Sequence, residues 1–194
     1  MVKENFQVGN VEQYASRIHE GIGLSELQGY LQPLFVEIQD SVSGLNMQFH
    51  LLRSMDFTIF DETQKNFLQG CLRSLQVVEK KVSLCVYALK HGYPNIDPVS
   101  DPDFSHFVTQ RQNEFEKALT TCDQITDEEF LDIIDGEFRY LFASVEQSLS
   151  SLSFLQEKEE LFPVSEEAFL IQNSLHFLVQ FFGKWLENKG FFLL

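Results

Sequence analysis

The side chains best suited to chemistry begin in the stretch NIDPVSDPDFSHF, which gathers Asp97, Asp101, Asp103 and His106. Asp103 and His106 stand at i and i+3, one helical turn apart, a spacing that supplies two ligands to a divalent metal. A competing explanation uses the same residues without a metal. Asp101 suits the N-cap of a helix, Pro102 its first position, and Asp103 the positive end of its dipole. The stretch also lacks the glycine and closing glutamate of an EF-hand calcium loop. Capping is the stronger explanation, so Asp103 and His106 remain weak metal candidates and no cofactor is expected.

Downstream, CDQITDEEFLDIIDGEF sets seven carboxylates between Asp123 and Glu137. Paired carboxylates hold di-iron in some helical bundles, but those sites add Glu-x-x-His on the core face. The chain has no Glu-x-x-His anywhere. Phe130, Leu131, Ile133, Ile134 and Phe138 claim the buried side of this segment. Asp127, Glu128, Glu129, Asp132 and Asp135 are then left to water, to the helix dipole or to a partner, as an acidic patch.

Nucleophilic chemistry finds less support. His19, His50, His91, His106 and His176 fall on five separate predicted helices. Cys71, Cys85 and Cys122 are odd in number and never spaced Cys-x-x-Cys; the first two lie on an apolar seam, where a thiol behaves as a small, inert hydrophobe. There is no G-x-S-x-G, P-loop or G-x-G-x-x-G. No catalytic residue is assigned, and the chain reads as a non-enzyme. Arg111 stands out differently, alone in an apolar row of Phe104, Val108, Phe115, Ala118 and Cys122. Either it lays its methylenes along the row and lifts its guanidinium to water, the favoured alternative, or it meets a carboxylate in a groove. It joins the partner-binding candidates on that account.

The elements that must position these residues are helices. Apolar residues recur at alternating spacings of three and four: Leu31, Phe35, Ile38, Val42, Leu45, Phe49, Leu52; then Leu68, Cys71, Leu75, Val78, Val82, Cys85, Leu89. Similar rows run through 131–152 and 168–185, while the period of two that marks strands is missing. Thr126 and Glu129 form a capping box, Asp61 with Gln64, Ser25 with Gln28 and Asn10 with Gln13 are weaker capping pairs, and Ser165 reads as the N-cap of the last helix, with Val164 stapled to Phe169. The spacing predicts six helices near 11–20, 26–54, 62–91, 102–121, 127–158 and 166–189, with a kink or fresh start at Pro33. The expected fold is all-α, one domain over 1–194. Antiparallel hairpins at 26–91 and 127–189 form a four-helix core, joined by a linker and helix at 93–121, with two shorter helices outside and an apolar tail at 190–194.

Charge bounds the partners. The 194 residues carry 29 acids and 14 bases, a net charge of −15, with 18 acids and six bases falling beyond residue 100. Such a surface repels nucleic acid and anionic lipid and favours a basic protein partner. No run is long enough to span a bilayer, no secretory signal opens the chain, and reduced cysteines suit the cytoplasm. The functional expectation is therefore a non-enzymatic cytoplasmic interaction protein, an adaptor, chaperone-like binder or regulatory module using an apolar groove or helix face. The alternative is a bundle holding a small apolar ligand between its helices. A second copy of the chain is the other candidate partner. An excess of apolar residues beyond the seams (Val36, Met47, Leu51, Val77, Val86, Tyr87, Phe142, Phe154, Phe177, Phe181) supplies the material. The last helix is apolar over about 200° of arc, too wide for one-sided burial. Its Phe177, Phe181 and Trp185, with Phe191, Phe192, Leu193 and Leu194 beyond the stop at Gly190, either complete the core or dock a partner.

Overall fold

The computed structural model describes residues 23–55, 57, 61–92, 98–157 and 160–191. They form five α-helices and no strand: α1 (Leu24–Leu52), α2 (Glu62–Gly92), α3 (Pro102–Thr121), α4 (Asp127–Ser153) and α5 (Leu161–Asn188), with a 3-10 turn at Pro98–Ser100 before α3. The helix expected at 11–20 and the Asn10–Gln13 cap lie outside the described residues. Among the described residues no helix is long and apolar enough to cross a membrane.

Four helices make the core. α1 packs on α2 and α4, and α5 packs on α2 and α4, so the order around the bundle is α1, α2, α5, α4. Cross-helix bonds give the directions. Gln28 Nε2 donates to the Leu152 carbonyl at 2.6 Å while Arg53 reaches Asp132 at 2.9 Å, so α1 and α4 are antiparallel. Gln172 bonds Ser83 and His176 bonds Glu79, so α2 and α5 are antiparallel too. α3 climbs outside the square alongside α5: Phe104 meets Phe169, Phe115 stacks on Phe177 at 4.2 Å, and Lys184 Nζ donates to the Leu119 carbonyl at 2.7 Å. It returns the chain to the end where α4 begins, which lets both hairpins be antiparallel.

Hydrophobic seams account for this arrangement. Every seam residue of α1 and α2 named above is buried, as are Leu131, Ile134, Phe138, Leu141 and Val145 of α4. α5 is enclosed on two sides. Leu175, Leu178 and Phe182 are buried with the seams of the square, while Phe177 is buried against α3, which explains its wide apolar arc. Aromatic stacking fills one end of the core, where Phe130 lies 4.2 Å from Trp185 and 5.4 Å from Phe181 between ring centroids.

Three capping expectations hold. Thr126 and Glu129 form a reciprocal capping box, Asp61 and Gln64 exchange backbone bonds in the same way, and Asp101 accepts from the N–H groups of Asp103 and Phe104 with Pro102 in the first turn. Others are corrected. Ser165 is not an N-cap: α5 begins a turn earlier, after Glu160, and Ser165 is buried inside it. Pro163 does not stop that earlier start, because first-turn N–H groups have no intrahelical acceptor to lose. Phe169 therefore packs on Phe104. α4 ends at Ser153 rather than 158, since the Glu160 carboxylate accepts from the backbone N–H groups of Gln156 and Glu157 and holds the turn. Those bonds favour the ionised form and lower the Glu160 pKa. Gln28 spends its amide on α4 instead of capping α1, whose N-cap is Gly23. α1 also runs through Pro33 without a fresh start.

Candidate functional site

Two faces of the bundle carry polar groups among apolar ones, and they are built differently. The first is the junction of α3, α4 and α5. Arg111 comes from the apolar row of α3, and its guanidinium lies 2.9 Å and 3.2 Å from the two oxygens of Glu137 on α4 and 3.2 Å from Ser174 Oγ on α5. It also lies over the rings of Tyr140 and Phe115, at 4.0 Å and 4.9 Å from their centroids. The favoured expectation that Arg111 snorkels to water is corrected, because α3 lies close enough to α4 and α5 to enclose the guanidinium. The two paired side chains are 16% and 15% exposed.

This junction is electrostatically tense. Burial holds the Glu137 carboxyl above the ordinary carboxylate range, although Arg111 and Ser174 pull it down. Glu167 on α5 is raised by burial as well, although its hydrogen bond with Ser144 pulls it down, and its Oε2 is buried without a partner among the described residues. Burial likewise raises Tyr140. Arg111 Nε is buried and unpartnered. What the arrangement does physically is fasten the outer helix: one guanidinium ties α3 to both helices beneath it.

The acidic patch stands at the α4 N-terminus and is more engaged than expected. Asp127 accepts from Trp185 Nε1 at 3.3 Å and pairs with Lys189 at 2.6 Å, closing the end of α5 onto the start of α4. Asp132 and Asp135 pair with Arg53, and Asp135 also pairs with Arg139. Glu129 is held in the capping box, whose bonds to Thr126 lower its pKa. Glu128 is exposed. Asp127, Asp132 and Asp135 thus close contacts within the chain that the sequence reading leaves to water, because Lys189 and Arg53 come from distant segments.

The aromatic candidates of α5 are occupied internally. Phe177, Phe181 and Trp185 are buried, so they are not a surface offered to a partner. Gly190 adopts a positive φ of 82°, open to glycine without strain. The Phe191 N–H returns to the Leu186 carbonyl and the Gly190 N–H to that of Glu187, a Schellman turn that buries Phe191 in the core. The tail thus begins as a plug; Phe192, Leu193 and Leu194 lie outside the described residues.

The second face is the groove between α1 and α2, on the side away from α3. Ser41, Gly44, Leu45 and Gln48 from α1 and Arg73, Ser74, Val77 and Val78 from α2 line a cleft of about 340 Å³. Leu45 and Val78 form its floor, buried in the core. Within the lining Val77 is 51% exposed, and on α1 outside the lining Met47 is 71% and Leu51 58% exposed, with Val36 exposed nearer the start of that helix. Of the surplus apolar residues that the sequence offers, these four stay outside, as do Tyr87 and Phe154 elsewhere on the bundle, Val86 and Phe142 are half-buried, and Phe177 and Phe181 go inside. Among the described residues, no carboxylate lies within ion-pair distance of Arg73 or Lys80. Gln48 Oε1 is buried with no donor. The sequence reading missed Arg73 and Lys80; the available signal is their spacing of seven on either side of Val77, which puts all three on one helix face.

The remaining candidates stay apart. Asp103 and His106 are both exposed, and among the described residues no group of three or more His, Cys, Asp or Glu side chains could hold a metal ion. His176 faces Glu79 across α2 and α5. The three thiols are free and buried, and burial raises their pKa values, Cys71 to about 11. No protein-family model, curated protein or solved structure matches the chain.

Proposed function

We propose that this protein is a non-enzymatic helical interaction module that engages a protein partner through the α1/α2 face. The observation that carries the reading is the exposure of Val36, Met47 and Leu51 on α1 together with Val77 in the cleft between α1 and α2. Single exposed hydrophobes are ordinary, whereas a row beside a cleft is the form taken by helix-in-groove recognition. The extra helix α3 completes the opposite apolar face from within the chain, and α1 and α2 lack such a cover among the described residues. The groove is lined by aliphatic and polar side chains and Arg73, with no nucleophile–base pair, which favours binding over catalysis.

The test is affinity capture from the native source with the full chain and with a Met47→Asp/Val77→Asp variant of unchanged helical content. The reading expects a stoichiometric protein recovered by the wild type and lost by the variant. Equal recovery by both would move the interaction elsewhere. Recovery of a bound small molecule alone would favour the bundle as a ligand carrier.

A further inference from the structure

The charge of the bundle is divided across its diagonal. α2 carries Lys65, Arg73, Lys80, Lys81 and Lys90 against Glu62 and Glu79, five bases to two acids, in a chain of net charge −15. α4, diagonally opposite, carries seven acids to one arginine. The groove's α2 wall is therefore its basic side, while the α1 wall carries Glu26, Glu37 and Asp40 and no lysine or arginine. Lys81 is paired with Glu37 of α1, but Arg73 and Lys80 are exposed and, among the described residues, without a counter-charge. They are seven residues apart, about 10.5 Å along the helix, with Val77 between them. The Glu37–Lys81 pair fixes the antiparallel register, in which Leu45 stands opposite Arg73 and Ser41 opposite Val77.

We propose that the α1/α2 groove receives an amphipathic helix of a partner protein that bears carboxylates seven residues apart, with aliphatic side chains at the intervening i+3 and i+4 positions. The inference rests on the interaction reading above and names the chemistry of the partner. A helix with that pattern laid along the groove brings one carboxylate to Arg73 and the other to Lys80 while its aliphatic residues cover Met47, Val77 and the Leu45–Val78 floor. Charge complementarity runs against the basic partner that overall composition suggests, because a groove responds to local charge and not to the sum over the surface.

The probe is a helix-stabilised peptide of about four turns with Glu at i and i+7 and Leu at i+3 and i+4, alongside a twin carrying Lys in place of both Glu. Fluorescence anisotropy with the full chain at low salt should show the Glu peptide binding at least tenfold tighter than the Lys twin. Arg73→Glu combined with Lys80→Glu should reverse that preference, and both positions are exposed enough for the fold to persist, as far-UV circular dichroism will check. Equal binding of the two peptides, binding of neither, or a preference unmoved by the double charge reversal would overturn the proposal. So would a groove opened to the Glu peptide only after removal of residues 1–22, or one closed by a second copy of the chain. If capture still depends on Met47 and Val77 while Arg73 and Lys80 prove irrelevant, the interaction reading stands and the acidic-helix chemistry falls.

Discussion

Arg111 and Arg73 occupy comparable places on two sides of the bundle, each on a helix face shared with apolar residues, and their fates differ. Arg111 is enclosed by α4 and α5, bonded to Glu137 and Ser174 and stacked on Tyr140. Arg73 lines an open cleft with no counter-charge among the described residues. The difference lies in the crossover helix. α3 brings a fifth apolar surface to α5, so the face it covers is finished inside the chain, aromatic ring on aromatic ring and charge on charge. The α1/α2 side has the same ingredients, apolar residues around a cation, and among the described residues no covering helix. A finished face and an unfinished one built from similar residues are the physical basis for assigning partner binding to the second.

The comparison breaks first at the apolar side chains. Phe177→Ala, which removes the ring stacked on Phe115 and leaves a cavity under α3, is expected to lower unfolding stability by about 3–5 kcal/mol in urea. Met47→Ala, on the open side, should change it by less than about 0.5 kcal/mol. A large loss at Met47 would mean that its face is already covered. The arginines give the next contrast. Arg111→Met strands Glu137 without its cation and should cost about 3 kcal/mol at neutral pH, most of it recovered by adding Glu137→Leu. Arg73→Met should leave stability within about 0.5 kcal/mol.

A smaller effect separates the two faces by pH. Burial raises the Glu167 pKa, so its proton is held more tightly folded than unfolded. That contribution favours the fold below the unfolded value near 4.5 and is lost as pH rises through the folded value. Glu167→Gln should therefore stabilise the protein at pH 7, by under about 1 kcal/mol, with the gain vanishing below pH 4. A variant gain independent of pH would show that Glu167 is not strained by burial.

Much of the bundle was legible in the chain because seams and caps are local. The rows from Leu31 to Leu52 and from Leu68 to Leu89 need only helical periodicity to be read, and Thr126, Asp101 and Asp61 cap helices through residues two or three positions away. Ser165 misled because it has the chemistry of a cap while Pro163 sits in the first turn of the helix rather than before it. The partnership of Arg111 with Glu137 and Ser174 was not legible, since it depends on where a crossover helix lands. The sorting of surplus hydrophobes was hidden for the same reason. Phe177 and Met47 look alike as off-seam residues, and only the position of α3 decides which is covered.

The most direct test of the open face is photo-crosslinking in the native source, with a benzophenone amino acid placed at Met47 on α1 in one full-length chain and at Phe107 on α3 in another. Both residues are exposed, at 71% and 42%. The account predicts a discrete protein adduct from position 47 and none from position 107. An adduct from 107 alone, or the same adduct from both, would contradict it.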